Sequence, residues 1–160
     1  MQKFTDGPHT LWVPEPDEEM NWVGTDHTYV HATIKLCTRR LLFRNVIRRM
    51  YGPSPTYTCL RAHGGSAGNG KGWHFGDAGT PKPVQEWVDS IDGTAQVIIL
   101  WLCNTSNFRV RSKNSILIYP RKYVSIKDAW NDRKLFRMFL PGFGLIDSVS
   151  VRRLYRVLGK

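Results

Sequence analysis

His63 and Cys103 are the two residues of this sequence whose side chains could carry out nucleophilic catalysis together. A cysteine attacks a carbonyl carbon as its thiolate, and a neighbouring imidazole can accept the thiol proton or stabilise the charge. The two residues stand 40 positions apart in the chain. The hypothesis therefore depends on a fold that brings them side by side.

The segments around these two residues predict such a fold. Residues 57–62 form an extended apolar segment that ends at His63, and residues 95–102 form a second one that ends at Cys103. Between them, residues 83–91 carry apolar side chains at helical spacing. A strand, a helix and a second strand make a βαβ unit, whose strands run parallel and end at the same edge of a sheet. Open α/β sheets place their sites at that edge, and neighbouring strands lie about 4.8 Å apart, so the imidazole and the thiol are predicted to meet.

Residues close to this pair are predicted to contact a substrate. Gly64 and Gly65 would let the backbone approach a substrate, and their N–H groups, with that of Cys103, would stabilise an oxyanion. Asn104 follows the cysteine, and Trp73 lies in a glycine-rich segment; both are predicted substrate contacts. The alternative is that Cys103 is a small buried side chain that ends a core strand, and that the histidine belongs to a loop.

The order of these features resembles the caspase-like cysteine peptidases, a group that includes caspases, metacaspases and CHAT domains. An apolar strand ends in His63-Gly64, a short β excursion and a helix follow, and an apolar strand ends in Cys103. The resemblance covers roughly residues 41–119, and the small polar residues after the cysteine are most similar to CHAT domains. It implies a parallel-sheet, three-layer α/β domain that works as a cysteine endopeptidase on peptide or protein substrates. Cys103 would be the nucleophile, His63 the general base and Gly64 an oxyanion donor.

The sequence departs from this family at two points. Trp101-Leu102 precedes the cysteine where caspases carry Gln-Ala, and no acidic residue stands where a pocket for basic side chains is often built. Only one strand and one helix are predicted ahead of residues 57–62. The resemblance therefore implies a truncated sheet, or one that a partner completes.

The remaining pattern predicts a single domain over residues 1–160, with an irregular N-terminal strap over 1–27 and the sheet and helices over 28–160. Hydrophobic periodicity and punctuation by Gly and Pro predict five further elements. They are a strand over Tyr29–Leu36, a helix from Thr38 to Met50, a strand over Ser115–Tyr119, a helix from Ser125 to about Leu140, and a helix from Ser148.

Composition restricts the function classes. No apolar run reaches the roughly 18 residues of a membrane span, and no signal pattern is visible, so a soluble cytoplasmic protein without a membrane partner is expected. The formal charge of +10 favours acidic or polyanionic partners. The alternative function is therefore a non-catalytic basic α/β module. It would bind nucleic acid or an acidic protein through Arg40, Arg44, Arg48, Arg152, Arg153 and Arg156.

Two patterns that would indicate a nucleotide or a metal site are incomplete in this sequence. Residues 65–72 approach a P-loop, but Gly72 stands where the Mg²⁺-binding hydroxyl belongs. A metal site drawn from Cys59, His63, His74 and Cys103 has none of the usual ligand spacings. We therefore expect neither a cofactor nor a metal.

Overall fold

The computed structural model describes residues 2–14, 27–66, 71–76, 80–125, 129, 131–132, 134–146 and 151–159. These residues form a seven-stranded mixed sheet, a three-stranded antiparallel sheet and four helices. The elements in chain order are β1 (Gln2–Asp6), β2 (His9–Val13), α1 (His27–Cys37), α2 (Leu41–Tyr51), β3 (Tyr57–Arg61), β4 (Gly64–Ser66), β5 (Trp73–Phe75), β6 (Lys82–Pro83), α3 (Val84–Ile91), β7 (Val97–Trp101), β8 (Ile116–Pro120), β9 (Phe136–Leu140), β10 (Gly144–Leu145) and α4 (Val151–Val157).

The large sheet has the strand order β1-β2-β3-β7-β8-β9-β10. The four central strands, β2, β3, β7 and β8, run parallel to one another, whereas β1, β9 and β10 run antiparallel to their neighbours. The pairing of β3 with β7 puts Tyr57 opposite Val97 and Arg61 opposite Trp101. The predicted βαβ unit is therefore confirmed, and its two strands are direct neighbours.

Both faces of the large sheet are covered. On one face, Val97 and Ile99 of β7 share a core with side chains of α1, α2 and α4. On the other face, Ile98 and Leu100 share a core with Val84 and Val88 of α3 and with the aromatic residues of β5. Because each alternate side chain meets one of two cores, β7 reads as an uninterrupted apolar run. The expectation of an α/β fold with a mostly parallel sheet is confirmed.

Helix α2 shows how the sequence sets an element's limits. Phe43, Val46 and Ile47 are its buried residues and occupy one side of the helix. The helix ends at Gly52, whose φ of 80° suits glycine and whose N–H donates to the carbonyl of Arg48 at 2.8 Å. The expected helix start at Thr38 is wrong, because its hydroxyl donates to the carbonyl of Ile34 at the end of α1.

Two predictions for the N-terminal part are wrong. The segment Tyr29–Leu36 lies in helix α1, where Val30, Ile34 and Cys37 are buried at a spacing that also fits a helix. Residues 2–13 are not irregular: β1 and β2 form an antiparallel hairpin in which Asp6 pairs with His9. The remainder of the expected strap, residues 15–26, lies outside the described residues.

The C-terminal third contains one further error. The helix expected from Ser125 to Leu140 is contradicted over Phe136–Leu140, which form β9 against β8. Residues 126–128, where that helix was expected to begin, lie outside the described part of the chain. The last expected helix is confirmed as α4. With β1, β2, β9 and β10, the large sheet has seven strands among the described residues.

None of the helices in the described ranges combines the length and the apolar character needed to cross a membrane.

Candidate active site

The neighbouring strands β3 and β7 end level at what we call the carboxyl edge of the sheet. Arg61 and Trp101 form their last pair, and the N–H of Ala62 still donates to the carbonyl of Trp101 at 3.3 Å. His63 and Cys103 each follow that pair by two residues. Since paired strands lie about 4.8 Å apart, the backbones of these two residues are brought side by side, as the sequence predicts.

The side-chain directions at this edge are consistent with a shared face. The guanidinium of Arg61 lies 4.6 Å from the centre of the Trp101 ring, so these two side chains project to the same side of the sheet. Cys103, two residues further on, lies toward that side as well, because its sulfur contacts Val124, which packs against the same core as Trp101. The histidine is exposed and the cysteine is partly exposed.

The sulfur of Cys103 contacts the backbone of Val124. The N–H of Val124 points at Sγ from 3.5 Å, and its carbonyl oxygen lies 3.7 Å from the same sulfur. The sulfur therefore both accepts from and donates to the backbone of the same residue, which fixes its position at the edge. Sequence reasoning missed Val124, because it contributes only backbone atoms and stands 21 residues after the cysteine.

The carbonyl oxygen of Cys103 is held from two sides. The indole N–H of Trp73 donates to it at 2.8 Å, and the backbone of Gly64 lies so close that a Cβ there would overlap this oxygen. The same Cβ would lie 3.0 Å from the Cβ of Leu102. Gly64 is therefore required for the close approach of the two segments that carry the histidine and the cysteine.

The predicted oxyanion donors Gly64 and Gly65 differ in the direction of their N–H groups. The N–H of Gly76 donates to the carbonyl of His63, which makes these two residues a hydrogen-bonded pair of the small sheet. Because hydrogen-bonded and non-hydrogen-bonded pairs alternate in antiparallel strands, the N–H of Gly64 points away from β5 and that of Gly65 points toward it. Gly64 is therefore the better oxyanion donor of the two.

Trp73 is only 4 % exposed, so it does not offer a ring face to a ligand. Its ring centre lies 5.7 Å from that of Tyr119 in the core beneath the edge. The aromatic residue that sequence analysis assigned to substrate contact is instead a support for the position of Cys103.

Asn104 also supports the edge. It is 1 % exposed, and its side-chain amide donates to the carbonyls of Phe108 and Pro120 at 2.8 and 3.0 Å. Its Oδ1 accepts the N–H of Phe108 at 2.7 Å. These bonds hold the loop after the cysteine and connect it to the end of β8. The polar atoms of Asn104 are therefore bonded within the protein and do not face a substrate.

Two hydroxyl groups and two cations complete the described surroundings. Ser66 and Thr105 bring their hydroxyl oxygens to 3.3 Å, which joins β4 to the loop after Cys103. Arg121 follows β8 at the same edge, and its buried Nε has no hydrogen-bond partner among the described residues. Lys122 forms an ion pair with Asp132 at 3.2 Å. The backbone N–H of Lys134 donates to Asp132 and is the main cause that holds the pKa of this carboxylate below its usual value. The side chain of Lys122 lowers the pKa further.

The other two thiols are placed differently. Cys37 and Cys59 are buried, and burial raises the pKa of each well above that of a free cysteine. Within the described ranges, no group of three or more His, Cys, Asp or Glu side chains could hold a metal ion. Residues 67–70 of the glycine-rich loop are not among those described.

Comparison with protein-family models, with curated proteins and with solved structures finds no match for this chain.

Proposed function

We propose that this protein is a caspase-like cysteine-dependent hydrolase of peptide or related acyl bonds, with Cys103 as nucleophile and His63 as general acid and base. The observation that carries the proposal is the level ending of two parallel neighbouring strands, each followed at the same distance by one of these residues. A cysteine buried within a strand, as Cys59 is, would not support such chemistry, because a substrate could not reach its sulfur.

The finer fold assignment belongs to the same proposal. A mostly parallel sheet with helices on both faces, and a small antiparallel sheet directly after the histidine strand, support a caspase-like three-layer arrangement. The small sheet corresponds to the β excursion that the resemblance implies, and it carries both Gly64 and Trp73.

The proposed reaction has two steps. The thiolate of Cys103 donates an electron pair to the carbonyl carbon, the C–N bond breaks, and the amine leaves with a proton from His63. Water then attacks the thioester while His63 takes its proton, and the C–S bond breaks to return the thiolate. The N–H of Gly64 stabilises the oxyanion in both steps.

The proposal is tested with a library of fluorogenic peptide amides that varies the residue before the cleaved bond. We expect Cys103→Ala to lower the hydrolysis rate by about a thousandfold or more, since the reaction loses its nucleophile. Cys59→Ala is the matched control and should keep the rate. Equal rates for the wild type and Cys103→Ala, or no cleavage of any library member by the wild type, would remove the enzyme function.

A specific observation favours a second function. Helices α1, α2 and α4 share one sheet face, and Arg49 of α2 stacks 3.8 Å from the centre of the Tyr155 ring of α4. Residues 27–51 and 151–159 contain nine basic residues and no acidic one; they are Lys35, Arg39, Arg40, Arg44, Arg48, Arg49, Arg152, Arg153 and Arg156. We call this surface the basic helical face. It supports binding of nucleic acid through phosphate contacts.

This second function predicts a salt-dependent affinity for single-stranded oligonucleotides. The double variant Arg44→Gln, Arg48→Gln should reduce the logarithmic salt slope by about 1.4, because each lost phosphate contact removes about 0.7. A double variant of Arg109 and Arg111, on the other face, is the control. Absence of binding at low salt, or an equal loss in both double variants, would exclude this surface.

A further inference from the structure

A cleft of about 750 Å³ lies over strands β8 to β10, on the sheet face opposite the basic helical face. Its base is apolar: Phe139 and Leu145 lie opposite each other on β9 and β10 and contact the core of that face. Its full lining is Gln85, Arg109, Val110, Arg111, Tyr119, Phe139, Gly144 and Leu145. A volume of this size is typical of ligand-binding sites.

One wall of the cleft is the basic segment, residues 109–113. Its side chains alternate, with Arg109, Arg111 and Lys113 exposed and the two intervening residues buried. The alternation over residues 109–112 is that of an extended chain, so Arg109 and Arg111 project to the same side about 6.7 Å apart, and Lys113 follows at a bend. A second cleft of about 230 Å³ continues along the segment, since it shares Gln85 and Arg111 with the first.

The backbone of the basic segment is held in place. The side-chain amide of Gln85 donates to the carbonyl of Arg111 at 2.7 Å and accepts the N–H of the same residue at 3.1 Å. The carboxylate of Asp92 accepts the N–H of Lys113 at 2.7 Å. Because these backbone groups are already bonded, a ligand meets the cationic side chains, and those side chains stand on a fixed support, which lowers the entropic cost of binding.

The lining has little negative charge. Among the described residues, Asp89 is the only acidic one that lines either cleft, and its Oδ1 accepts a hydrogen bond from Gln85 at 2.9 Å. Tyr119 is fully buried and its hydroxyl accepts the N–H of Val110, so Phe139, which is partly buried, is the one aromatic ring among the described lining residues that a ligand could contact.

From these observations we propose that the cleft and the basic segment bind an extended acidic peptide. Carboxylates on alternate residues of such a peptide repeat at the same interval of about 6.7 Å that separates Arg109 from Arg111, because both chains are extended there. An apolar side chain at one end of the peptide occupies the cleft over Phe139 and Leu145. The site is separate from Cys103, and its occupation does not depend on hydrolysis.

The experiment is a calorimetric titration of the Cys103→Ala variant with two peptides of identical composition. One, Leu-Asp-Ser-Asp-Ser-Asp-Leu, has alternate carboxylates; the other, Leu-Ser-Asp-Asp-Asp-Ser-Leu, has them clustered. We expect the alternating peptide to bind about fivefold tighter, and Arg111→Gln to weaken it about two- to fivefold. Asp89→Asn should strengthen it. Arg44→Gln, which removes an equally exposed arginine from the other face, should leave the affinity unchanged.

Three results would overturn the proposal. The two peptides could bind equally or not at all, which would show that the spacing of the cations selects nothing. Arg44→Gln could weaken binding as much as Arg111→Gln, which would show general charge attraction. A single-stranded oligonucleotide of equal charge could bind more tightly than the peptide and depend on Arg111, which would show that the segment contacts nucleic acid instead.

Discussion

Two cysteines, one within β3 and one just beyond the end of the neighbouring strand β7, lie in opposite environments. Cys59 is in the middle of β3 opposite Ile99, is 0 % exposed, and burial raises the pKa of its thiol far above that of a free cysteine. Cys103 follows the end of β7, is partly exposed, and has the N–H of Val124 directed at its sulfur. The same side chain therefore packs the core in the strand middle and is available for chemistry at the carboxyl edge.

The comparison shows that the large sheet separates stability from reactivity. The strand middles are apolar on both faces and hold the two cores, whereas beyond the last pair His63 is exposed and Cys103 is partly exposed with its sulfur against the backbone of Val124. Changes in the middle should affect the free energy of unfolding, and changes at the edge should affect the reactivity of Cys103.

The largest expected effect is in the strand middle. Ile99→Ala should lower the free energy of unfolding by about 2–5 kcal/mol, because it leaves a cavity in a fully buried core. His63→Ala, at the exposed edge, should change it by no more than about 0.5 kcal/mol. Urea unfolding of both variants measures this contrast, and a larger loss for His63→Ala than for Ile99→Ala would refute it.

A pair of adjacent glycines gives the next effect. Gly64→Ala places a Cβ on the carbonyl oxygen of Cys103, so we expect a loss of about 1–3 kcal/mol in stability and slower alkylation of the cysteine. In Gly65→Ala the nearest atom to the new Cβ is 3.7 Å away on Thr105, an ordinary contact, so this control should match the wild type. If both variants behave alike, the close approach at Gly64 has no consequence.

A smaller effect is expected at Trp73. Trp73→Phe keeps a ring in the core but removes the N–H that donates to the carbonyl of Cys103. The loss of one hydrogen bond should cost about 1 kcal/mol and loosen the edge, which hydrogen exchange over residues 102–105 would detect as faster exchange. Trp87→Phe serves as the control, since its ring packs against the same core away from the cysteine. Unchanged exchange in Trp73→Phe would show that the indole does not hold the edge.

The smallest effect concerns the opposite edge of the sheet, where Asp92 accepts backbone N–H groups of Lys113, Asn114 and Ser115 just before β8. Burial acts to raise the pKa of Asp92, but these donors outweigh it and hold the pKa below its ordinary value. Its contribution to stability is therefore present above about pH 4 and is lost as the pH falls through the folded-state pKa.

Asp92→Asn should accordingly be less stable than the wild type by about 0.5 kcal/mol at neutral pH, and the difference should shrink toward about pH 2. Unfolding curves at several pH values measure it, and the alkylation rate of Cys103 should not change. A difference that grows as the pH falls would contradict the assigned role.

The sequence was sufficient for the elements that position the site and insufficient for several others. The unit β3-α3-β7 was predictable because its three segments indicate the same arrangement. The β7 segment is continuously apolar, the α3 segment repeats apolar residues at helical spacing, and His63 and Cys103 mark where the two strands end. Tyr29–Leu36 was misread because its β-branched residues suit a strand, while its buried positions fit a helix equally well. The choice is made by packing against the sheet, which a single segment does not reveal.

The N-terminal hairpin had a signal that was passed over. Gly7-Pro8 is the two-residue turn between the paired residues Asp6 and His9, and glycine, here with φ of 58°, is favoured at the first turn position of such a hairpin. Within the site, the roles of Val124 and of the Trp73 indole could not be predicted, because both depend on contacts between atoms distant in sequence. The positions of His63 and Cys103 could be, because strand ends are visible in the sequence.

The most direct test of the central claim is the rate at which iodoacetamide alkylates each cysteine at neutral pH, resolved by peptide mass spectrometry. We predict that Cys103 reacts well before Cys37 and Cys59 in the folded protein, and that His63→Ala slows its reaction about tenfold or more without changing the fold. Alkylation of Cys103 at the rate of the buried thiols, or at the same rate with and without His63, would contradict the account.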